Sequence, residues 1–289
     1  MILIVGSTGM LGGMIARQLL ERGHSVRILV RPGSGHADLV GMGAEPVFGD
    51  LKEPDTLGAA LKGVDTVITT ANSALRGGAD TVETVDRHGN RNLIEAAQPA
   101  SVRQFIFVSA LGASEESPIE FMRAKAETER HLRDSGITYT ILQPNVFMDV
   151  WIPMLVGGRV QAGQPVTLVG QGLRKHSMIS AADVAAFATA SVGHPDALDR
   201  TVPLGGPAPV SWRDIVDACE RQLGHPVEVR HVEPGEALPG LPDVVSHFAA
   251  ALDSYDSPVE MTRTASAFGV RLTPLEDFVA GMLLLAGRS

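Results

Sequence analysis

The sequence predicts an α/β fold: a doubly wound parallel sheet followed by a smaller, mixed α/β C-terminal part. Three observations carry this expectation. Short apolar runs alternate with helical patterns over residues 1–150. A glycine-rich turn joins the first apolar run to the first helix. The alternation then weakens after Pro144, where Gly157, Gly158, Gly163, Pro165, Gly170 and Gly172 crowd together.

In chain order, Ile2–Val5 reads as the first strand and residues 10–22 as the first helix. Strand patterns recur at Val26–Val30, 46–48, 66–70, 105–109 and 139–142, making six strands in all. A longer helix fits residues 81–97, with Val82, Val85, Gly89, Leu93, Ile94 and Ala97 near one face. Strands this apolar, separated by helices, suit a parallel sheet covered on both faces. Right-handed crossovers then set a ligand crevice at the carboxyl ends of the strands. Further on, residues 181–192 read as helix, 201–204 as strand, Trp212–Leu223 as helix and 227–232 as strand, with three helical patterns to the end. Asp183 is expected to cap or orient the helix it opens. The domains expected are 1–150, with segments returning near 165–205, and 151–289 as a substrate-binding part.

Composition narrows the function. The 289 residues carry a formal net charge of -9, which disfavours a nucleic-acid or anionic-membrane partner because both need clustered Lys and Arg. A single cysteine, Cys219, excludes an internal disulfide framework and suits a reducing compartment, so a cytoplasmic setting is expected. Nine histidines show no metal-ligand spacing, and no metal is expected. The expected partner is a small-molecule substrate, and the chain a monomer or homodimer.

The strongest motif is Gly6-Ser7-Thr8-Gly9-Met10-Leu11-Gly12, between the first strand and the first helix. Gly6 allows the tight turn, Gly9 lets backbone approach a pyrophosphate, and Gly12 packs helix against strand. The phosphates then meet free N–H groups at a helix N-terminus. This is the dinucleotide loop of a Rossmann domain. At the end of the second strand, no carboxylate lies between Ser25 and Ala37 to hold a ribose 2′-hydroxyl. Arg31 and Ser34 stand there instead, suited to a 2′-phosphate, so NADP(H) is favoured over NAD(H). The plainer alternative for Arg31 is a solvated strand-end charge. Asp50 could accept the adenine amino group with Leu51 packing on the ring, or Asp50 could only initiate a helix. Thr70, Ala71 and Asn72 end the fourth strand where small residues let the chain pass the cofactor ribose. Pro144, Asn145 and Phe147 follow the sixth strand, where the chain should border the nicotinamide. Met148 and Trp151 could wall an apolar pocket or belong to the core.

With Leu29-Val30-Arg31, Gly49-Asp50, the segment from Val85 to Asn92, Phe107-Val108-Ser109-Ala110 and the stretch from Asp134 to Asn145, the chain resembles the atypical and extended short-chain dehydrogenase/reductases, and most of all their NmrA-like group. That group includes NAD(P)H-dependent quinone and dye reductases, isoflavone-reductase-like enzymes and non-catalytic redox sensors. The resemblance implies a Tyr-x-x-x-Lys pair on the helix after the fifth strand, with a Ser or Thr at that strand's end. Here the segment reads Phe121-Met122-Arg123-Ala124-Lys125. The lysine is kept, but Phe121 has no proton to give, which argues against ordinary Tyr-dependent alcohol oxidation. Lys125 is then expected to bind the nicotinamide ribose or act as the acid itself, the alternative being a surface lysine near Glu129. Ser109 is expected to bind a substrate oxygen, or to be a plain strand-end serine. Two functions follow: an NADPH-dependent reductase of a small apolar acceptor (quinone, enone, carbonyl or imine-like), or a non-catalytic NADP(H)-binding redox sensor or assembly protein.

Overall fold

Seven strands of a single sheet lie in the order β3-β2-β1-β4-β5-β6-β8 in the computed structural model, which describes residues 1–74 and 76–286. The strands are β1 Ile2–Val5, β2 Val26–Val30, β3 Glu45–Phe48, β4 Thr66–Thr69, β5 Gln104–Val108, β6 Tyr139–Pro144 and β8 Arg200–Leu204. The pairs β1–β2, β1–β4, β2–β3, β4–β5 and β5–β6 are all parallel. Strand order reverses between β1 and β4, and a doubly wound sheet opens its crevice at such a point. The expected doubly wound α/β fold is present, with a seventh strand: the run expected at 201–204 joins the main sheet beside β6.

Helices α1 Met10–Glu21, α2 Ala37–Gly41, α3 Leu57–Leu61, α4 Asn90–Ala97 and α5 Glu120–Asp134 connect these strands. One face of the sheet is packed by Leu3, Val5, Val67, Phe105, Phe107 and Ile141 with Leu57, Leu61, Leu93 and Leu132 from the helices. The helix expected over residues 81–97 is broken in register. Val82–Gly89 is π-helical, opened by a reciprocal Thr81–Thr84 capping box, and only Asn90–Ala97 is α-helical. The physical cause is Asn90, whose Nδ2 inserts into the ladder and donates to the carbonyls of Val85 and Asp86, at 3.3 and 3.2 Å. The wider turn brings Asp86 and Asn90 to the interior together, both with no exposed surface.

The chain divides into two units. The first is Met1–Pro144, Val184–Pro203 and Ala267–Val270; the second is Asn145–Asp183, Leu204–Ser266 and Arg271–Ser289. Segment 165–183 therefore stays with the second unit and the return begins at Val184. The second unit pairs β7 Val166–Val169 with β9 Val229–Val232 in a two-stranded parallel sheet. Its core contains Met148, Ile152, Val156, Trp212, Ile215, Cys219 and Leu252, with Trp151 stacked on Phe248 at 4.4 Å. Among the described residues, no helix is long and apolar enough to cross a membrane. Asp183 does not cap α8 Ala181–Ala190: Ser180 Oγ accepts from the Asp183 N–H, while the Asp183 carboxylate accepts from Thr273 N and Oγ1, each at 2.8 Å. The acid ties two segments of the second unit together instead.

Candidate functional site

The glycine loop leaves β1 at Gly6 with φ +88°, the left-handed region that favours glycine. A Cβ on Gly6 would stand 2.6 Å from Thr70 Oγ1, and one on Gly12 only 2.2 Å from the Gly6 carbonyl oxygen. These two glycines are demanded by the fold. Gly9 differs: φ is -84°, and an added Cβ would meet Gly6 O at 3.3 Å. No side chain caps α1, and its first turn carries no acidic residue. The loop and the open helix end thus present backbone N–H groups of the kind that can hold an anion. Ser7 is buried within the loop, and its Oγ has no hydrogen-bond partner among the described residues. An orphan hydroxyl beside an uncapped helix end fits a pyrophosphate oxygen as its missing partner. Thr8 and Met10 are exposed and Leu11 is half-buried.

Across the strand-order reversal, Thr70 N donates to Val5 O at 3.0 Å, which seats the end of β4 against the loop. Ala71 is buried, and Asn72 closes a local turn by accepting from Ala74 N at 3.0 Å. Leu51 corrects an expectation. It packs in the core with Leu29 and Leu57 and is 6% exposed, so it does not offer a face to an adenine ring. Asp50 accepts from Lys52 N at 2.9 Å, and its side chain is 20% exposed.

Arg31 is an ion-paired strand-end cation whose side chain stays 42% exposed. Its Nη1 bonds both carboxylate oxygens of Asp80, at 2.8 and 3.1 Å, and lies 3.8 Å from Asp50 Oδ2. Ser34 Oγ donates to Arg31 O at 2.7 Å and shapes the turn beneath it. Asp80, Lys52 and Arg76 were invisible as members of this cluster, because three separate loops bring them together.

A second cluster lies at the carboxyl end of β5. Lys125 is 2% exposed, which removes the surface-lysine alternative. Its Nζ donates to Val108 O at 3.1 Å, lies 4.0 Å from Asp86 Oδ1, and stands over the rings of Phe107 and Phe121 at 4.8 and 5.3 Å. Burial pushes the Lys125 ammonium below the usual lysine range, against the pull of Asp86 and Glu129. Asp86 Oδ2 accepts from Ser73 N and Oγ at 2.9 and 2.6 Å, while its Oδ1 has no hydrogen-bond partner among the described residues. Ser109 Oγ donates to Glu129 Oε1 at 2.5 Å, and Gln143 Nε2 donates to the same oxygen at 2.8 Å. The hydroxyl proton of Ser109 is thus committed to a buried carboxylate, which favours the strand-end serine over a substrate-binding one. Asp86 had no assigned role, and Glu129 entered only as the i,i+4 neighbour of Lys125 on one helix face.

Pro144 ends β6 in the first unit, where its carbonyl accepts from Leu111 N at 2.9 Å. Asn145 and Phe147 belong to the second unit. In Asn145, Nδ2 donates to Ser257 O and Oγ at 2.8 and 3.1 Å, and Oδ1 accepts from Val146 N at 2.8 Å. Its side-chain amide is satisfied within the second unit. Phe147 is half-buried and bridges to Ile179.

A family model described as NAD(P)H-binding matches residues 6–195. The photosystem II assembly factor Ycf39 of Synechocystis sp. is 34% identical over 237 residues, 80% of this chain and 70% of that protein. The NAD(P)H azoreductase of Xenophilus azovorans is 32% identical over 227 residues, 78% of this chain and 75% of that protein. The solved NADPH complex of an NADPH-dependent quinone oxidoreductase from Escherichia coli shares the fold, with TM-score 0.80 and 24% identity over 98% of this chain and 99% of that one. As its resemblance to the NmrA-like, atypical short-chain dehydrogenase/reductases implied, the chain belongs to the NAD(P)H-binding family.

Proposed function

We propose that this protein is an NADPH-dependent reductase acting on a small, apolar acceptor of the quinone, enone, carbonyl or imine-like class. The observation that carries the reading is Lys125, buried at the end of β5 with Phe121 in place of a phenol. In this reading the glycine loop, with Ser7, Gly9 and the N–H groups of Met10, Leu11 and Gly12, holds the pyrophosphate. Arg31 takes the 2′-phosphate, Asp50 the adenine, and Thr70, Ala71 and Asn72 flank the ribose. Bound there, the cofactor supplies a hydride. Lys125 orients the ribose and, held at a lowered pKa, can give up a proton from Nζ. Acceptors whose reduced anion is delocalised need no stronger acid, which suits a site with Phe121. The azoreductase relative supports a reducible acceptor of this kind. The single cysteine, buried Cys219 with its thiol pushed up to about 11 by burial, fits a reducing, cytoplasmic setting.

The test is steady-state NADPH oxidation across a panel of quinones, enones, carbonyls and azo compounds. Turnover with at least one class is expected. The similarity to assembly factors favours one competing reading, a non-catalytic NADP(H) sensor. Tight NADP(H) binding with no turnover on any acceptor would overturn the reductase in its favour.

A further inference from the structure

Three cations converge on one carboxylate beside the adenosine end of the proposed cofactor site. Arg31 comes from the turn after β2, Lys52 from the turn after β3, and Arg76 from the segment after β4. Asp80 receives all three: Arg31 Nη1 at 2.8 Å, Lys52 Nζ at 2.6 Å and Arg76 Nη1 at 3.4 Å. Asp50 stands behind them, 3.6 Å from Lys52 and 3.8 Å from Arg31. The acid lies inside and the cations outside. The Asp80 side chain is 9% exposed, against 42% for Arg31, 25% for Lys52 and 34% for Arg76. Two carboxylates cannot neutralise three cations, so the outer rim keeps positive charge. Arg31 meets Asp80 through Nη1 alone; among the described residues its Nε and Nη2 make no hydrogen bond. Those two N–H groups form the fork that matches an oxyanion in bidentate fashion. Asp80 itself is held ionised, its pKa near 2, by the Lys52 hydrogen bond above all and then by Arg31.

We propose that Arg31, Lys52 and Arg76 form a three-pronged site for the 2′-phosphomonoester of the dinucleotide, and that Asp80 is the positioning residue that assembles it. The proposal rests on the NADP(H) reading above and extends it to Lys52, Arg76 and Asp80. Asp80 acts by fixing three flexible side chains in advance, which lowers the entropy cost of gathering them around the phosphate.

The experiment titrates NADP⁺ and NAD⁺, and 2′,5′-ADP against 5′-ADP, into the wild-type chain and into Lys52→Met, Arg76→Met, Asp80→Asn and Asp80→Glu. Each methionine variant is expected to weaken NADP⁺ and 2′,5′-ADP roughly three- to tenfold and leave NAD⁺ and 5′-ADP unchanged, the range set by partly exposed charge-assisted contacts. Asp80→Asn is expected to do the same, and Asp80→Glu to restore most of the loss. Inorganic phosphate at the same concentration should not compete, which separates the ribose-borne ester from a free anion. Tighter NADP⁺ binding by Asp80→Asn would overturn the positioning role, since Asp80 would then be a competitor. Equal losses for NADP⁺ and NAD⁺ would make the cluster merely structural. A wild-type preference for NADP⁺ that survives every variant sinks this inference alone; a wild-type chain without that preference sinks the NADP(H) reading beneath it.

Discussion

Lys125 Nζ and Asp86 Oδ1 face each other across 4.0 Å of fully buried space, with no hydrogen bond between them. An ammonium and a carboxylate buried together offset part of each other's desolvation, so the pair is costly to break by one half. This changes how a lysine substitution must be read. Loss of Lys125 leaves the Asp86 carboxylate buried with Ser73 as its one hydrogen-bond partner among the described residues.

Lys125→Met is therefore expected to lower stability by about 3–5 kcal/mol in denaturant unfolding, and to abolish most NADPH oxidation. The double substitution Lys125→Met with Asp86→Asn should recover most of the stability without recovering turnover. Recovery of both would remove Lys125 from the chemistry and leave it a structural counter-charge.

Ser109→Ala tests the other half of the cluster. It removes a hydrogen bond to a buried carboxylate, worth roughly 1.5–3 kcal/mol, and that loss should appear in the unfolding midpoint. Because the Ser109 proton is already donated to Glu129, kcat should stay within about threefold of wild type, well short of the effect of losing a catalytic acid. A collapse of kcat with unchanged stability would restore Ser109 as a substrate ligand.

The glycine loop allows binding and folding to be separated. Gly12→Ala drives a methyl group to 2.2 Å from a backbone oxygen, and is expected to cost about 1–3 kcal/mol or more of stability. Gly9→Ala has an ordinary φ and a 3.3 Å contact, so it should fold near normally and lose dinucleotide affinity by blocking the approach to α1. Ser7→Ala should stabilise the free protein by about 1 kcal/mol, since an unpartnered buried hydroxyl is removed, while weakening NADP(H). Differential scanning and cofactor titration on the three variants check this ordering. Equal thermal losses for Gly9→Ala and Gly12→Ala would contradict it.

What the sequence made legible was local. The glycine loop, β1 and α1 are contiguous, so their spacing alone specified the turn and the open helix end. Lys125 and Phe121 were readable as one turn of one helix. Partners brought in from distant segments were not readable. Asp80 reaches Arg31 across 49 residues, and Ser257 takes the Asn145 amide across 112. The π-helical register that turns Asp86 inward depends on one side-chain amide, which a periodicity of 3.6 residues does not reveal. Leu51 failed for a related reason: a leucine after a strand end can face a ligand or the core, and only the neighbouring Gly89 and Leu57 decide it.

Asp80 also makes a prediction about acid. Its pKa is lowered from the ordinary 3.8 to about 2, first through the Lys52 hydrogen bond and then through Arg31. The unfolded chain therefore takes up this proton more readily than the folded one. The stabilisation is complete above the unfolded value, near pH 4, and is lost as pH falls through the folded value near 2. Its full size is on the order of 1–2 kcal/mol, reduced because the partner cations are partly exposed and screened. Urea unfolding of wild type and Asp80→Asn between pH 6 and pH 2 isolates this term from the other carboxylates. The stability gap between the two proteins should be constant from pH 6 to about 5 and narrow below pH 4. In about 1 M salt the gap should shrink at neutral pH, since ions screen the exposed cations. A gap that does not change with pH would show that Asp80 is held by packing alone, and the charge cluster would lose its role in ordering the loop.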